Sequence, residues 1–118
     1  MMKSRLANSI IYATRGLRHV FVAELSFRLQ VLAGAAVIFL MLYFPLPFWQ
    51  RVMLIVLIAS VLVLEVINTI FERIVDTFKP RIHPVVGEIK DMMAGAVLLA
   101  SVVSAIVGIL LFWPYLFL

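Results

Sequence analysis

From Met92 to Leu118 the chain runs for 27 residues without a formal charge, and from Val31 to Trp49 for another 19. A third apolar run opens at Val52 and continues to about Val75, with Glu65, Asn68, Glu72 and Arg73 in its second half. A helix that crosses a hydrocarbon core of about 30 Å, rising about 1.5 Å per residue, needs roughly 20 such residues. Each run meets that length. With 65% hydrophobic and 14% charged residues in a chain of 118, and a mean hydropathy of +1.18, a soluble domain could not bury this much apolar surface. The expectation is one all-α integral membrane domain covering residues 1–118, with spans at about 29–47, 52–75 and 92–114. Pro45 and Pro47 are expected to end the first of these helices early.

Residues 5–23 follow a different pattern. Leu6, Ile10, Ala13, Leu17 and Val20 recur every three or four positions, among Lys3, Arg5, Arg15, Arg18 and His19. That periodicity predicts an amphipathic helix lying on the membrane surface, or equally a helix packed on protein. No cleavable signal is expected, because the first apolar run starts late and no small-residue cleavage pattern follows it. There is no cysteine, which excludes disulfides and thiolate metal sites.

The cations set the topology. With the N-terminus in the cytoplasm, Lys3, Arg5, Arg15, Arg18, Arg28, Arg73, Lys79, Arg81 and Lys90 fall inside and Arg51 alone falls outside. Nine against one is a strong positive-inside bias, and it places the C-terminus outside, with Trp113 and Tyr115 as interface anchors. The net charge of +4 therefore reads as a topology signal rather than a nucleic-acid footprint. All six acidic residues lie in the cytoplasmic half as well.

Three of those acids lie in or at the end of the run that opens at Val52. At about 100° per residue, Glu65, Asn68, Glu72 and Asp76 span an arc of about 80°, a single stripe along one helix. An ionisable group as deep as Glu65 costs several kcal/mol unless it faces water or a polar partner, which makes it a candidate for chemistry. The alternative is a helix that emerges early into solvent, which suits Asp76 better than Glu65. Glu24 and Arg28 stand four apart, the spacing of a helix-end ion pair or of part of a site. The segment KPRIHPVVGEIKD, residues 79–91, reads as a loop broken by Pro80 and Pro84, with Lys90 and Asp91 abutting the third span. It contains no Walker-type phosphate loop, and no paired-histidine metal pattern occurs.

Carboxylates on two helices, an amide and a lysine at a helix entrance suit Mg²⁺ held with phosphate oxygens. A carboxylate at membrane depth can accept the proton of an attacking hydroxyl delivered from the bilayer. The pattern favours a phosphotransferase acting on a lipid. A small oligomeric transporter using Glu65 is the competing class, but it leaves Lys90, Asp91 and Glu24 without a task. Ala96, Ala100, Ser104 and Gly108, every fourth residue, suggest close helix packing and an oligomer.

At this point the chain resembles the prokaryotic diacylglycerol kinase family, small three-span membrane kinases unrelated to soluble kinases. The resemblance covers nearly the whole length. It rests on ATRGL at 13–17, ELSFR at 24–28, EVINTIFERIVD at 65–76 and KDMMAGAV at 90–97. The last two, at this separation, are the most specific. The resemblance implies a homotrimer in the bacterial inner membrane, each subunit carrying a surface helix and three transmembrane helices, with active sites between subunits. It implies ATP-dependent phosphorylation of diacylglycerol to phosphatidic acid; a related branch uses undecaprenol.

By match to the motifs, Glu65 would be the general base, and Glu24 and Glu72 would hold the Mg²⁺ that accompanies ATP, supported by Asn68. Lys90 and Asp91 would contact the nucleotide, with Arg5, Tyr12, Arg81 and His83 near it and Asp76 either touching it or marking the helix exit. Ala13, Phe27, Arg28 and Ala94 would lie on the lipid side. The sequence departs from the enterobacterial pattern at Gln30 and Arg81, where that form is acidic, and at Ala13, where it has serine. These departures bear on nucleotide and lipid preference, not on the base or metal positions.

Overall fold

The computed structural model describes residues 2–78 and 84–118. They form four helices: α1 (Met2–Ala23), α2 (Leu25–Tyr43), α3 (Phe48–Thr77) and α4 (Pro84–Phe117). Helices α2, α3 and α4 are each long and apolar enough to cross a membrane. Most of their bulky side chains face outward. In water such a surface would drive aggregation; against lipid tails it is the matching solvent.

The helix ends follow from local chemistry. α2 stops at Tyr43, ahead of Pro45 and Pro47, four residues short of the expected span end at 47. The turn that follows is tied together by Arg51, whose Nε donates to the Leu46 carbonyl at 3.1 Å and whose Nη2 donates to the Phe44 carbonyl at 3.3 Å. The Tyr115 hydroxyl donates to the Pro45 carbonyl at 3.3 Å, so the last turns of α4 close over the same turn. Carbonyls orphaned by two prolines thus find donors where bulk water is scarce. Met41, Leu46, Leu54 and Phe112 form the buried cluster beneath them.

The segment read as a loop over 79–91 is corrected from Pro84 onward. α4 begins at Pro84 and carries Gly87, Lys90 and Asp91 within its first turns. Proline suits a first helical position, where its missing N–H has no intrahelical partner anyway. Gly87 adopts no left-handed conformation, so its backbone freedom is not used.

α3 packs most extensively on α4, then on α2, while α1 touches α2 and α3 near its C-terminal end. The close approach sits on α2: a Cβ added to Gly34 would stand 2.9 Å from Ile58 Cγ2. The expected small-residue stripe on α4, Ala96, Ala100, Ser104 and Gly108, is half-buried throughout, on the helix that packs most extensively against α3. Ser104 and Gly108 line an apolar cavity of ≈ 220 Å³ between α2, α3 and α4, and Gly108 has open space around it. Gln30 Nε2 donates to Ser101 Oγ at 3.3 Å, joining α2 to α4 at the edge of that cavity.

Candidate active site

The polar residues gather where α1 hands over to α2, beside the C-terminal half of α3. Glu24 leaves helical geometry (φ −113°, ψ 113°) and caps α2 with its backbone, its side chain making no capping hydrogen bond. Its N–H closes the last turn of α1 on the Val20 carbonyl at 2.8 Å, and its carbonyl accepts the Arg28 N–H at 3.3 Å. The junction therefore positions the carboxylate without engaging it. Arg28 does not pair with it: Nη1 donates to the Phe21 and Val22 carbonyls at 2.8 and 2.7 Å. The helix-end ion pair suggested by the i,i+4 spacing is replaced by a cap on α1, since a guanidinium satisfies the negative, donor-hungry end of a helix. Phe27 is buried and meets the Phe21 ring edge-on at 6.4 Å, which makes it the apolar pin of the same elbow.

On α3, Glu65 is 5% exposed and Thr69 3%. The Thr69 hydroxyl donates to the Glu65 carbonyl at 3.0 Å, so it is occupied by backbone. The Glu65 carboxylate takes part in no hydrogen bond or ion pair among the described residues. Glu72 stands two turns along the same stripe of α3, and α2, which Glu24 caps, packs against α3. Asn68 Nδ2 donates to Glu72 Oε1 at 3.3 Å, while Asn68 Oδ1 is buried without a partner.

One turn further out, Lys90 Nζ meets Asp76 Oδ1 at 3.0 Å, with side chains 36% and 54% exposed. This joins the first turns of α4 to the end of α3. Asp91, Ala94, Ala13 and Arg5 are exposed, and Tyr12 lies exposed beneath the Arg15 guanidinium, 5.7 Å from the ring centre. Arg81 and His83 lie outside the described residues. Within one subunit, then, Asn68 and Glu72 are joined by a hydrogen bond, Glu65 stands on the same stripe of α3, Glu24 caps the neighbouring α2, and Asp76 pairs with Lys90 one turn further out. Thr69 lies within the EVINTIFERIVD motif and has no role implied by the resemblance. Its signal was position: one turn after Glu65, a hydroxyl returns to that residue's own carbonyl.

The donor set can be tested for a divalent cation. Among the described residues, no three histidine, cysteine or acidic side chains form a metal cage. Two carboxylates, Glu24 and Glu72, and the orphaned Asn68 oxygen are hard ligands. A partly protein-held site of that kind suits Mg²⁺, which keeps waters and substrate phosphates in its shell. The unpartnered Asn68 Oδ1 is the observation that fits: a buried carbonyl oxygen without a donor is costly unless something else fills that place.

A family model described as prokaryotic diacylglycerol kinase matches residues 11–112. The undecaprenol kinase of Bacillus subtilis (strain 168) is 32% identical over 113 residues, covering 96% of this chain and 92% of the relative. The diacylglycerol kinase of Escherichia coli (strain K12) is 29% identical over 112 residues, covering 95% and 92%. The diacylglycerol kinase of Synechocystis sp. (strain ATCC 27184 / PCC 6803 / Kazusa) is 35% identical over 107 residues, covering 90% of this chain and 61% of the relative. The match spans α2, α3, most of α1 and most of α4, including every polar residue gathered at the junction. With three helices fit to cross a bilayer, this chain is an integral membrane protein and belongs to the prokaryotic diacylglycerol kinase family of lipid kinases.

Proposed function

We propose that the chain transfers the γ-phosphoryl group of ATP to the free hydroxyl of diacylglycerol, giving phosphatidic acid and ADP, with Mg²⁺ accompanying the nucleotide. The observation that carries this reading is Glu65: a carboxylate at membrane depth, almost without exposure and with no hydrogen-bond partner among the described residues. Glu65 accepts the hydroxyl proton as the alcohol oxygen attacks the γ-phosphorus and the bond to the departing ADP oxygen breaks. Its depth matches an acceptor that arrives dissolved in the bilayer. Glu24 and Glu72 hold the Mg²⁺, and Asn68 orients Glu72 through its amide. When bound, Mg²⁺ neutralises charge on the phosphates.

Lys90 binds the phosphates and Asp76 holds it in place until they arrive. Asp91, Arg5, Tyr12, Arg81 and His83 complete the nucleotide side; Ala13, Arg28 and Ala94 face the lipid. Phe27 serves the lipid side indirectly, by fixing the elbow. The working form is a homotrimer with sites shared between subunits, because three thin helices enclose little volume of their own. It resides in the bacterial inner membrane with its N-terminus in the cytoplasm, and α1 lies on that surface. Residues 1–118 act as one catalytic domain.

A second reading, undecaprenol as acceptor, is favoured by the Bacillus subtilis relative, whose name gives that activity. The test is a mixed-micelle assay with labelled ATP and Mg²⁺, offering each lipid alcohol separately. Label is expected in diacylglycerol, with Glu24→Gln and Glu72→Gln raising the Mg²⁺ requirement. Transfer to undecaprenol alone would replace the first reading with the second, and transfer to neither by folded protein would end both.

A further inference from the structure

Between α1 and α3 runs a groove of ≈ 470 Å³, lined by Tyr12, Arg15, Gly16, His19, Val20, Thr69, Ile70 and Arg73. No acidic residue lines it. Arg15, His19 and Arg73 stand exposed along it, and neither guanidinium has an acidic partner among the described residues. Arg15 only overlies the Tyr12 ring. Two arginines left without counter-charge, on two different helices, face the same space. We propose that this groove is a binding site for the phosphate headgroup of an anionic membrane phospholipid.

Three further observations favour that occupant. The first is position. Thr69 and Arg73 stand one and two turns beyond Glu65 towards the end of the apolar α3, so the groove opens at the cytoplasmic end of that span. The second is the neighbourhood: Leu6, Ile10, Leu17 and Phe21 of α1 are exposed, a face that acyl chains can cover. The third is chemical. Val20, Ile70 and the buried Thr69 give the groove an apolar floor under a cationic rim, which suits a headgroup still attached to its glycerol. A nucleotide triphosphate would bring a divalent ion, and the carboxylates suited to that ion, Glu24 and Glu72, do not line this groove; of the described residues assigned to the nucleotide side, Tyr12 alone stands at its edge. Guanidinium forks match phosphate oxygens two at a time, and basic pockets between helices on the cytoplasmic side of a membrane take anionic headgroups.

The experiment needs no kinase activity, so its outcome is separate from that of the catalytic reading. The full chain in neutral-detergent micelles is titrated with fluorescently labelled short-chain phosphatidylglycerol, followed by anisotropy, with labelled phosphatidylcholine as the comparison. Arg15→Gln and Arg73→Gln are each expected to weaken phosphatidylglycerol binding about fivefold, and the pair about twenty-five-fold if they act independently, with phosphatidylcholine unchanged. In the unaltered chain, raising salt is expected to weaken phosphatidylglycerol selectively. That arm holds even if a variant fails to fold. Salt-independent binding, undiminished binding in the folded double variant, or one-for-one displacement by Mg²⁺-free ATP would overturn the proposal, the last by making the groove a nucleotide subsite.

Discussion

Replacing Glu65 by glutamine separates a catalytic carboxylate from a structural one, because the two roles move activity and stability differently. The change keeps the shape of the side chain and removes its ability to take up a proton. Among the described residues no free base is placed to substitute: Glu24 and Glu72 are assigned to the Mg²⁺, the Thr69 hydroxyl is held by the Glu65 carbonyl, and the Asn68 amide by Glu72. Losing a general base costs about 10²–10⁴-fold in rate, roughly 3–5.5 kcal/mol of barrier, and the upper half of that range is expected here. Stability should move the other way. A carboxylate 5% exposed and without a hydrogen bond among the described residues strains the folded state. Glutamine relieves that strain by on the order of 1 kcal/mol, since isolated buried charge is expensive. The assay is steady-state transfer from saturating ATP in mixed micelles, paired with thermal unfolding in the same detergent. A variant that keeps more than a tenth of the wild-type kcat, or loses activity in step with a lowered midpoint, would refute the reasoning.

Three further outcomes are expected. Gly34→Ala should destabilise the bundle by about 1–3 kcal/mol despite the better helix propensity of alanine, because its Cβ meets the stiff Ile58 Cγ2 at 2.9 Å; Gly34→Ala combined with Ile58→Ala should recover part of that loss in a double-mutant cycle. Lys90→Met should raise the KM for ATP markedly while lowering stability by less than about 1 kcal/mol, because its pair with Asp76 is largely solvated. Arg28→Gln should speed hydrogen exchange in the last turn of α1 and the elbow, where its two bonds to the Phe21 and Val22 carbonyls are lost; unchanged exchange there would show that the cap contributes nothing.

Much of this molecule could be read along the chain, and the reason is the solvent. In a bilayer each crossing must satisfy its own backbone hydrogen bonds, so length and apolarity alone mark α2, α3 and α4. Helical periodicity likewise puts Glu65, Asn68, Glu72 and Asp76 on one side of α3 before any packing is known. Pro45 and Pro47 announce the end of α2 in the same local way. Pro84 shows the limit of local reading: it is expected to break helix, yet it stands at the first position of α4, where its missing N–H costs no helical bond.

What lay beyond the sequence were the contacts between segments far apart along it. Spacing paired Glu24 with Arg28; folding turned the guanidinium onto the carbonyls of α1 and left the carboxylate at the cap of α2 without a capping bond. Asp76, undecided between nucleotide and helix exit, is joined across fourteen residues to Lys90. The close approach of Gly34 on α2 to Ile58 on α3 had no repeated spacing to announce it, and the cavity that Gly34 lines together with Ser104 and Gly108 of α4 needs three helices to form. The groove shared by Arg15, His19 and Arg73 has no sequence signature at all. The physical reason is common to these cases: periodicity tells which side chains share a face of one helix, but the rotation of one helix against another is set by packing of both surfaces together.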